Sequence, residues 1–194
     1  VRKYRVINIL HKAILMTVKS IIVFCGSQNG NNSLFVQHAE EIGKLIAFFK
    51  MKLIYGGAKR GLMGVLADSV LENGGHVVGI IPELLSDRER QHNKLTELVI
   101  VADMHTRKKM LYERGDIAII LPGGFGTLDE LFEMLTWNQL KLHDKKIYVL
   151  NSGGFYDHLL KHLQHAQKEG FLYDDIENKI IFCEAPAEIF NKIN

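Results

Sequence analysis

The sequence predicts an α/β fold, a doubly wound and mainly parallel Rossmann-like sheet with helices on both faces. Three observations carry that prediction. Short unbroken apolar runs, such as residues 117–121 (IAIIL), are what a parallel strand buried on both faces requires. Such runs lead into glycine-bearing turns at CGSQNG (25–30), YGGAKRG (55–61) and LPGGFGT (121–127). Between them, apolar residues return at helical spacing, so strands and helices alternate.

The elements follow in order. Residues 20–25 read as a buried strand running into a polar loop, where Asn31, Asn32 or Ser33 can cap a helix whose inner face carries Phe35, Ala39, Ile42, Leu45, Ile46 and Phe49. A second strand ends at Tyr55, and the next helix carries Leu62, Val65, Leu66 and Val70 before Gly74 and Gly75 end it. HVVGIIP is a third strand, stopped by Pro82. The charged stretch ELLSDRERQHNK (83–94) reads as a surface loop or irregular helix. LTELVIVA is extended, DMHTRKKMLYER helical, and the 117–121 strand opens through its glycine turn into a helix with Leu128, Leu131, Phe132, Leu135 and Leu140. KKIYVLN, GFYDHLLKHLQHAQKEG, residues 180–182 and a segment from Pro186 complete the pattern as strand, helix, strand, helix.

With 194 residues and 47% hydrophobic content, the chain has material for one full core, which predicts a single domain over 16–194. Met16 is a plausible start, and residues 1–15 read as an extension outside the fold. Five of the 24 basic residues fall in residues 1–19, which hold no acid, so the remainder carries 19 basic against 22 acidic side chains. That balance argues against nucleic acid as a partner. The basic opening is broken by Asn8, His11 and Lys12 and has no clear cleavage site, and no run is long enough to span a membrane. Cys25 and Cys183 form no CxxC pattern, and the nine histidines show no metal-ligand spacing. The expectation is a cytoplasmic protein with no metal and no membrane partner.

Two familiar nucleotide motifs are absent. Gly56 and Gly61 have P-loop spacing, but Leu62 stands where the lysine belongs; CGSQNG is not GxGxxG. What LPGGFGTLDE offers is backbone: Gly123, Gly124 and Gly126 let a ligand approach the main chain, the N–H groups of a helix start point outward, and Thr127 adds a hydroxyl. This is an anion site of the phosphate kind. Thr127 and Glu130 also fit a T-x-x-E capping box, and sequence physics leaves capping and catalysis both open for Glu130. A catalytic Glu130 must face the sugar, since a phosphate would repel it. MHTRKKM (104–110) is either a solvated basic helix face or a second half of the site.

Together, DMHTRK, LPGGFGTLDE and TWNQL resemble the Lonely Guy family, the cytokinin riboside 5′-monophosphate phosphoribohydrolases, often labelled possible lysine decarboxylases. The paired patterns M-x-x-R-K and PGGxGTxxE are here Met104, Arg107, Lys108 and Pro122 to Glu130. The likeness extends through FCGS, YGGAKRGLMG, GGHVVGIIP and NSGGFYDHLL, over nearly all of residues 20–190. It implies a hydrolase that needs no cofactor and splits the N-glycosidic bond of AMP or an N6-substituted AMP, releasing base and ribose 5-phosphate. It implies Arg107 and Glu130 as the catalytic pair, with Glu89, Lys108, Gly123, Gly124, Gly126, Thr127 and Thr136 contacting the nucleoside 5′-monophosphate. It further implies a homodimer with the site near the interface, for which residues 136–144 are a candidate contact.

The chemistry suits these residues. Cleavage of a ribosyl bond passes through an oxocarbenium-like state, and a carboxylate can stabilise that cation or activate water. A phosphate seated on the helix start would hold the ribose against Glu130. Two alternatives remain at this level: a non-enzymatic AMP-sensing protein, and a lysine decarboxylase, which would need a cofactor as electron sink.

Overall fold

The computed structural model describes residues 18–86 and 91–193. The expected extension at 1–15, Met16 and the candidate contact Glu89 lie outside the described residues. Seven strands form one wholly parallel sheet: β1 (Ser20–Phe24), β2 (Lys52–Tyr55), β3 (His76–Pro82), β4 (Glu97–Val101), β5 (Ile117–Ile120), β6 (Ile147–Leu150) and β7 (Ile180–Cys183). Their order is β4-β3-β2-β1-β5-β6-β7. The helices are α1 (Ser33–Phe48), α2 (Gly61–Glu72), α3 (Glu83–Ser86), α4 (Met104–Arg114), α5 (Phe125–Gln139), α6 (Asp157–Lys168) and α7 (Pro186–Lys192).

Side chains alternate across the pleat, so each central strand feeds two cores. Ile21, Val23, Leu53, Tyr55 and Ile119 join Ile42 and Ile46 of α1, Leu66 and Val70 of α2, and Ile189 and Phe190 of α7. Ile22, Phe24, Ile54, Ala118 and Ile120 join Leu111 of α4, Leu131 and Met134 of α5, and Leu163 of α6. Because both faces are covered, the strands are apolar throughout rather than alternating. Each fully buried Ile or Leu in these layers contributes about 1.5–3 kcal/mol. Edge strand β4 is the exception, with Ile100 half exposed.

The expected polar cap is Asn32, whose side chain accepts a hydrogen bond from the Leu34 N–H at 3.0 Å. The charged stretch after Pro82 forms the single turn α3, and beyond 87–90 Gln91 makes an isolated antiparallel bridge to Ala58. Among the described residues no helix is long and apolar enough to cross a membrane.

Strand order reverses between β1 and β5, and the loops leaving these two strands diverge to opposite faces. A crevice at the carboxyl ends of the strands is the consequence, as in other doubly wound sheets. Two bonds fix its floor: Leu121 N–H to Phe24 O at 2.9 Å, and Gly26 N–H to Pro122 O at 3.0 Å.

Candidate active site

The turn leaving β5 enters α5 at once. Gly124 is the N-cap, so helical geometry begins at Phe125 and the Leu128 N–H already bonds Gly124 O at 3.1 Å. Thr127 therefore lies inside the first turn and Glu130 in the second. This overturns the capping-box alternative: a capping threonine must precede the helix, and here the helix starts two residues before it. The first-turn N–H groups of Phe125, Gly126 and Thr127 have no preceding turn to bond. Such a terminus favours an anion.

The glycines of this turn serve different ends. A Cβ at Gly123 would collide with the Thr127 side chain and press on Gly26 N, so packing alone forbids a larger residue there. At Gly124 and Gly126 an added Cβ would meet nothing within 4 Å. Neither of these two has a positive φ. Nothing inside the protein demands glycine at Gly126, where within a helix it is disfavoured relative to alanine by up to about 1 kcal/mol. Gly124, as the N-cap, stands where glycine is an ordinary choice.

Arg107 reaches the site from α4. Asp103 caps that helix through the Thr106 N–H at 2.8 Å, which sets the first turn so that Arg107 points across the sheet edge. Its Nε donates to Ile80 O of β3 at 3.1 Å, and its Nη1 donates to Glu130 Oε1 at 3.2 Å. The guanidinium lies over Gly56 at the end of β2, where any Cβ would collide with it. Arg107 and Glu130 are each only 8% exposed. Burial pushes Glu130 up to about 7; Arg107 and Lys108 oppose the rise, while Asp129 and Glu133 add to it. A carboxyl near 7 can hold or release a proton at neutral pH, the property asked of a general base.

Lys108, next to Arg107, turns the other way. Its Nζ bridges Asp129 at 2.8 Å and Glu133 at 3.1 Å, tying α4 to α5. Burial works against its charge, but the bonds from Asp129 and Glu133 outweigh that and hold Lys108 above the usual lysine value. Glu133 also accepts the Tyr112 hydroxyl at 2.6 Å, and the Tyr112 ring meets Trp137 edge-on at 4.5 Å.

Arg107, Glu130 and the turn from Gly123 to Thr127 are thus brought to one region by α4 and α5, with Lys108 on their flank. Thr136 is not brought there within the single chain. Its hydroxyl donates to Phe132 O at 2.7 Å, and it borders a separate hollow of about 120 Å³ with Leu135, Leu163 and Ile176. A larger hollow of about 280 Å³ flanks the turn on its α1 side, between Pro122 to Gly124, loop 26–30, Phe35, Leu62 and Phe155; neither Arg107 nor Glu130 lines it. Among the described residues no group of three or more His, Cys, Asp or Glu is placed to hold a metal ion.

Sequence reasoning passed over His92, which is 1% exposed. Its Nε2 meets Asp68 at 2.9 Å, its Nδ1 accepts the Lys94 N–H, and its own N–H bonds Gly57 O, so it clasps the turn behind Arg107. A histidine in a charged stretch gives no local sign of burial. Only contacts 24 to 35 residues away in sequence create it.

Residues 63–193, which include both motifs, match the model of the family described as "Possible lysine decarboxylase". A cytokinin riboside 5′-monophosphate phosphoribohydrolase of Rhodococcoides fascians is 47% identical over 169 residues, covering 87% of this chain and 85% of that protein. The chain belongs to the Lonely Guy family. A second member, the "Probable cytokinin riboside 5′-monophosphate phosphoribohydrolase" of Arabidopsis thaliana, is 42% identical, with 90% and 87% coverage. Among solved structures, the molybdenum cofactor binding protein of Rippkaea orientalis superposes with a TM-score of 0.67 at 21% identity, over 89% of this chain and 94% of that one. The molybdenum cofactor carrier protein of Chlamydomonas reinhardtii gives 0.67 at 16% identity, with the same coverage. Likenesses at such low identity reach the Rossmann-like fold and no further. In this Lonely Guy chain the arginine and glutamate of the two motifs form one buried ion pair.

Proposed function

We propose that this protein hydrolyses the N-glycosidic bond of AMP or an N6-substituted AMP, releasing the base and ribose 5-phosphate. The observation that carries the reading is the burial of Glu130 against Arg107 just behind a helix start whose two unconstrained glycines face open space. The phosphate sits on the N–H groups of Phe125, Gly126 and Thr127. Gly126 is glycine because the ligand occupies the space a Cβ would take, and the N-cap Gly124 leaves its own side open to the same ligand. The ribose then lies toward Glu130.

As the bond between C1′ and the base nitrogen breaks, its electron pair leaves with the base and positive charge grows on the sugar. Glu130, as carboxylate, stabilises that charge and takes a proton from the water whose oxygen bonds to C1′. The base leaves with a proton gained from solvent. Arg107 is always charged and is held by Ile80 O, so it keeps Glu130 oriented and partly ionised against the cost of burial. Every step uses water and these side chains alone. The protein acts as a cytoplasmic homodimer with its site near the interface; exposed Leu140 and Leu142 on the 136–144 stretch, with Phe132 beside them, support that contact.

The test is incubation with AMP, N6-isopentenyladenosine 5′-monophosphate and the matching nucleosides, following free base for wild type and Glu130→Ala. Base released from the monophosphates and lost in the variant is expected. AMP binding without turnover would instead make it a sensor. Carbon dioxide and diamine from lysine with added pyridoxal phosphate would make it a decarboxylase.

A further inference from the structure

The turn that begins the phosphate seat is not held by its own strand alone. Tyr156, which precedes α6 on the far side of β5, is 2% exposed and sends its hydroxyl under the turn. That hydroxyl donates to Leu121 O at 2.7 Å. The phenol thus holds the chain at the residue just before Pro122. With Leu121 N–H on Phe24 O and Gly26 N–H on Pro122 O, the backbone polar groups of Leu121 and Pro122 are all engaged inside the protein. Gly123, packed against Thr127 and Gly26, belongs with this anchor, and the open part of the turn starts at Gly124.

Tyr156 is itself fixed from below. Its N–H donates to Asn151 Oδ1 at 2.7 Å, and Asn151 Nδ2 donates to Asp157 at 2.8 Å and Glu184 at 3.0 Å. Asn151 follows β6 directly and is 4% exposed. Gly153 and Gly154, at φ +58° and +74°, let the chain turn back so sharply that Tyr156 reaches the neighbouring strand end.

We propose that Tyr156 is a positioning residue for the phosphate end of the substrate, setting the height and tilt of the Gly124–Thr127 N–H groups through a staple from Asn151 to Leu121. The inference rests on the proposed hydrolysis of nucleoside 5′-monophosphates, and it adds a residue outside both sequence motifs. Rigid backing matters because a shift of about 1 Å in a seat of N–H groups can cost on the order of 100-fold. The phenol ring fills the core whether or not its oxygen is present. Removing the oxygen alone tests the staple.

The experiment is calorimetric binding of ribose 5-phosphate and, separately, adenine to wild type and Tyr156→Phe, with thermal melts of both proteins and a parallel AMP turnover assay. Ribose 5-phosphate should bind Tyr156→Phe roughly 10- to 100-fold more weakly, while the adenine constant stays within about twofold of wild type. Equal weakening of both ligands would mean general loosening and would overturn the proposal, as would an unchanged ribose 5-phosphate constant or no ribose 5-phosphate binding to wild type. Should Tyr156→Phe not fold, Asn151→Ala releases the same anchor from its other end and must show the same selective loss. Wild type that binds ribose 5-phosphate but releases no base from any monophosphate would defeat the hydrolase reading instead, leaving the binding comparison to judge the staple.

Discussion

Arg107 Nη1 lies 3.2 Å from Glu130 Oε1, and the two side chains are about nine-tenths enclosed. One opposite charge at that distance would ordinarily pull a carboxyl well below its usual value. Here loss of water outweighs it, and Asp129 and Glu133 push the same way, so Glu130 rests at about 7. Arg107 also divides its donors between Glu130 and Ile80 O, which limits what the carboxylate receives.

The pH dependence follows. With the ionised carboxylate as the working form, kcat/KM for AMP should climb between about pH 6 and pH 8, with an apparent pKa near 7 for the free protein. A rate profile measured at constant ionic strength checks this. A flat profile across that interval would remove Glu130 from the role of base.

The same shift has a consequence for stability. The folded value of Glu130, about 7, lies above the ordinary 4.5, so between them the folded protein binds more protons than the unfolded chain. Stability from this group is therefore greatest below about 4.5 and falls as pH rises toward 7. Glu130→Gln mimics the protonated form. It should be inactive yet more stable than wild type at pH 8, by at most about 3 kcal/mol, with the difference vanishing near pH 4. Urea unfolding of both proteins at the two pH values measures it.

Lys108 and Glu133 act on Glu130 with opposite sign. Lys108→Met removes a charge that lowers the Glu130 value, and Glu133→Gln removes one that raises it. The acid limb of the rate profile should move to higher pH in the first variant and to lower pH in the second. Lys108→Met should also lose stability, on the order of 1 kcal/mol, because Asp129 and Glu133 lose their shared cation. A rise in KM with no movement of the acid limb would instead make Lys108 a plain substrate contact.

The glycines separate seat from scaffold. Gly126→Ala adds a methyl that touches nothing in the protein and improves helix propensity, so it should raise the melting temperature slightly while raising KM for AMP severalfold. Gly123→Ala drives a methyl into Thr127 and should lower the melting temperature, consistent with overpacking costs of about 1–3 kcal/mol. Melting curves with steady-state kinetics on both variants check the contrast.

The parallel sheet, its helices and the glycine turn that opens α5 were legible in the sequence. Those depend on local signals: apolar runs at Ile117 to Leu121, helical spacing in α1 and α2, and glycines after strand ends. The sequence also brought Arg107 and Glu130 forward as candidates, through two motifs read together. It left Glu130 suspended between cap and catalyst, because T-x-x-E reads alike in both cases until the helix start is fixed at Phe125. Which charges are buried, and what faces them, came from the packing of distant segments. Lys108 turned out to clamp Asp129 and Glu133, His92 to clasp Gly57, and Tyr156 to hold Leu121 from 35 residues away. Burial and pairing of polar groups are set by where distant strands end side by side, and a local pattern carries no information about that neighbourhood.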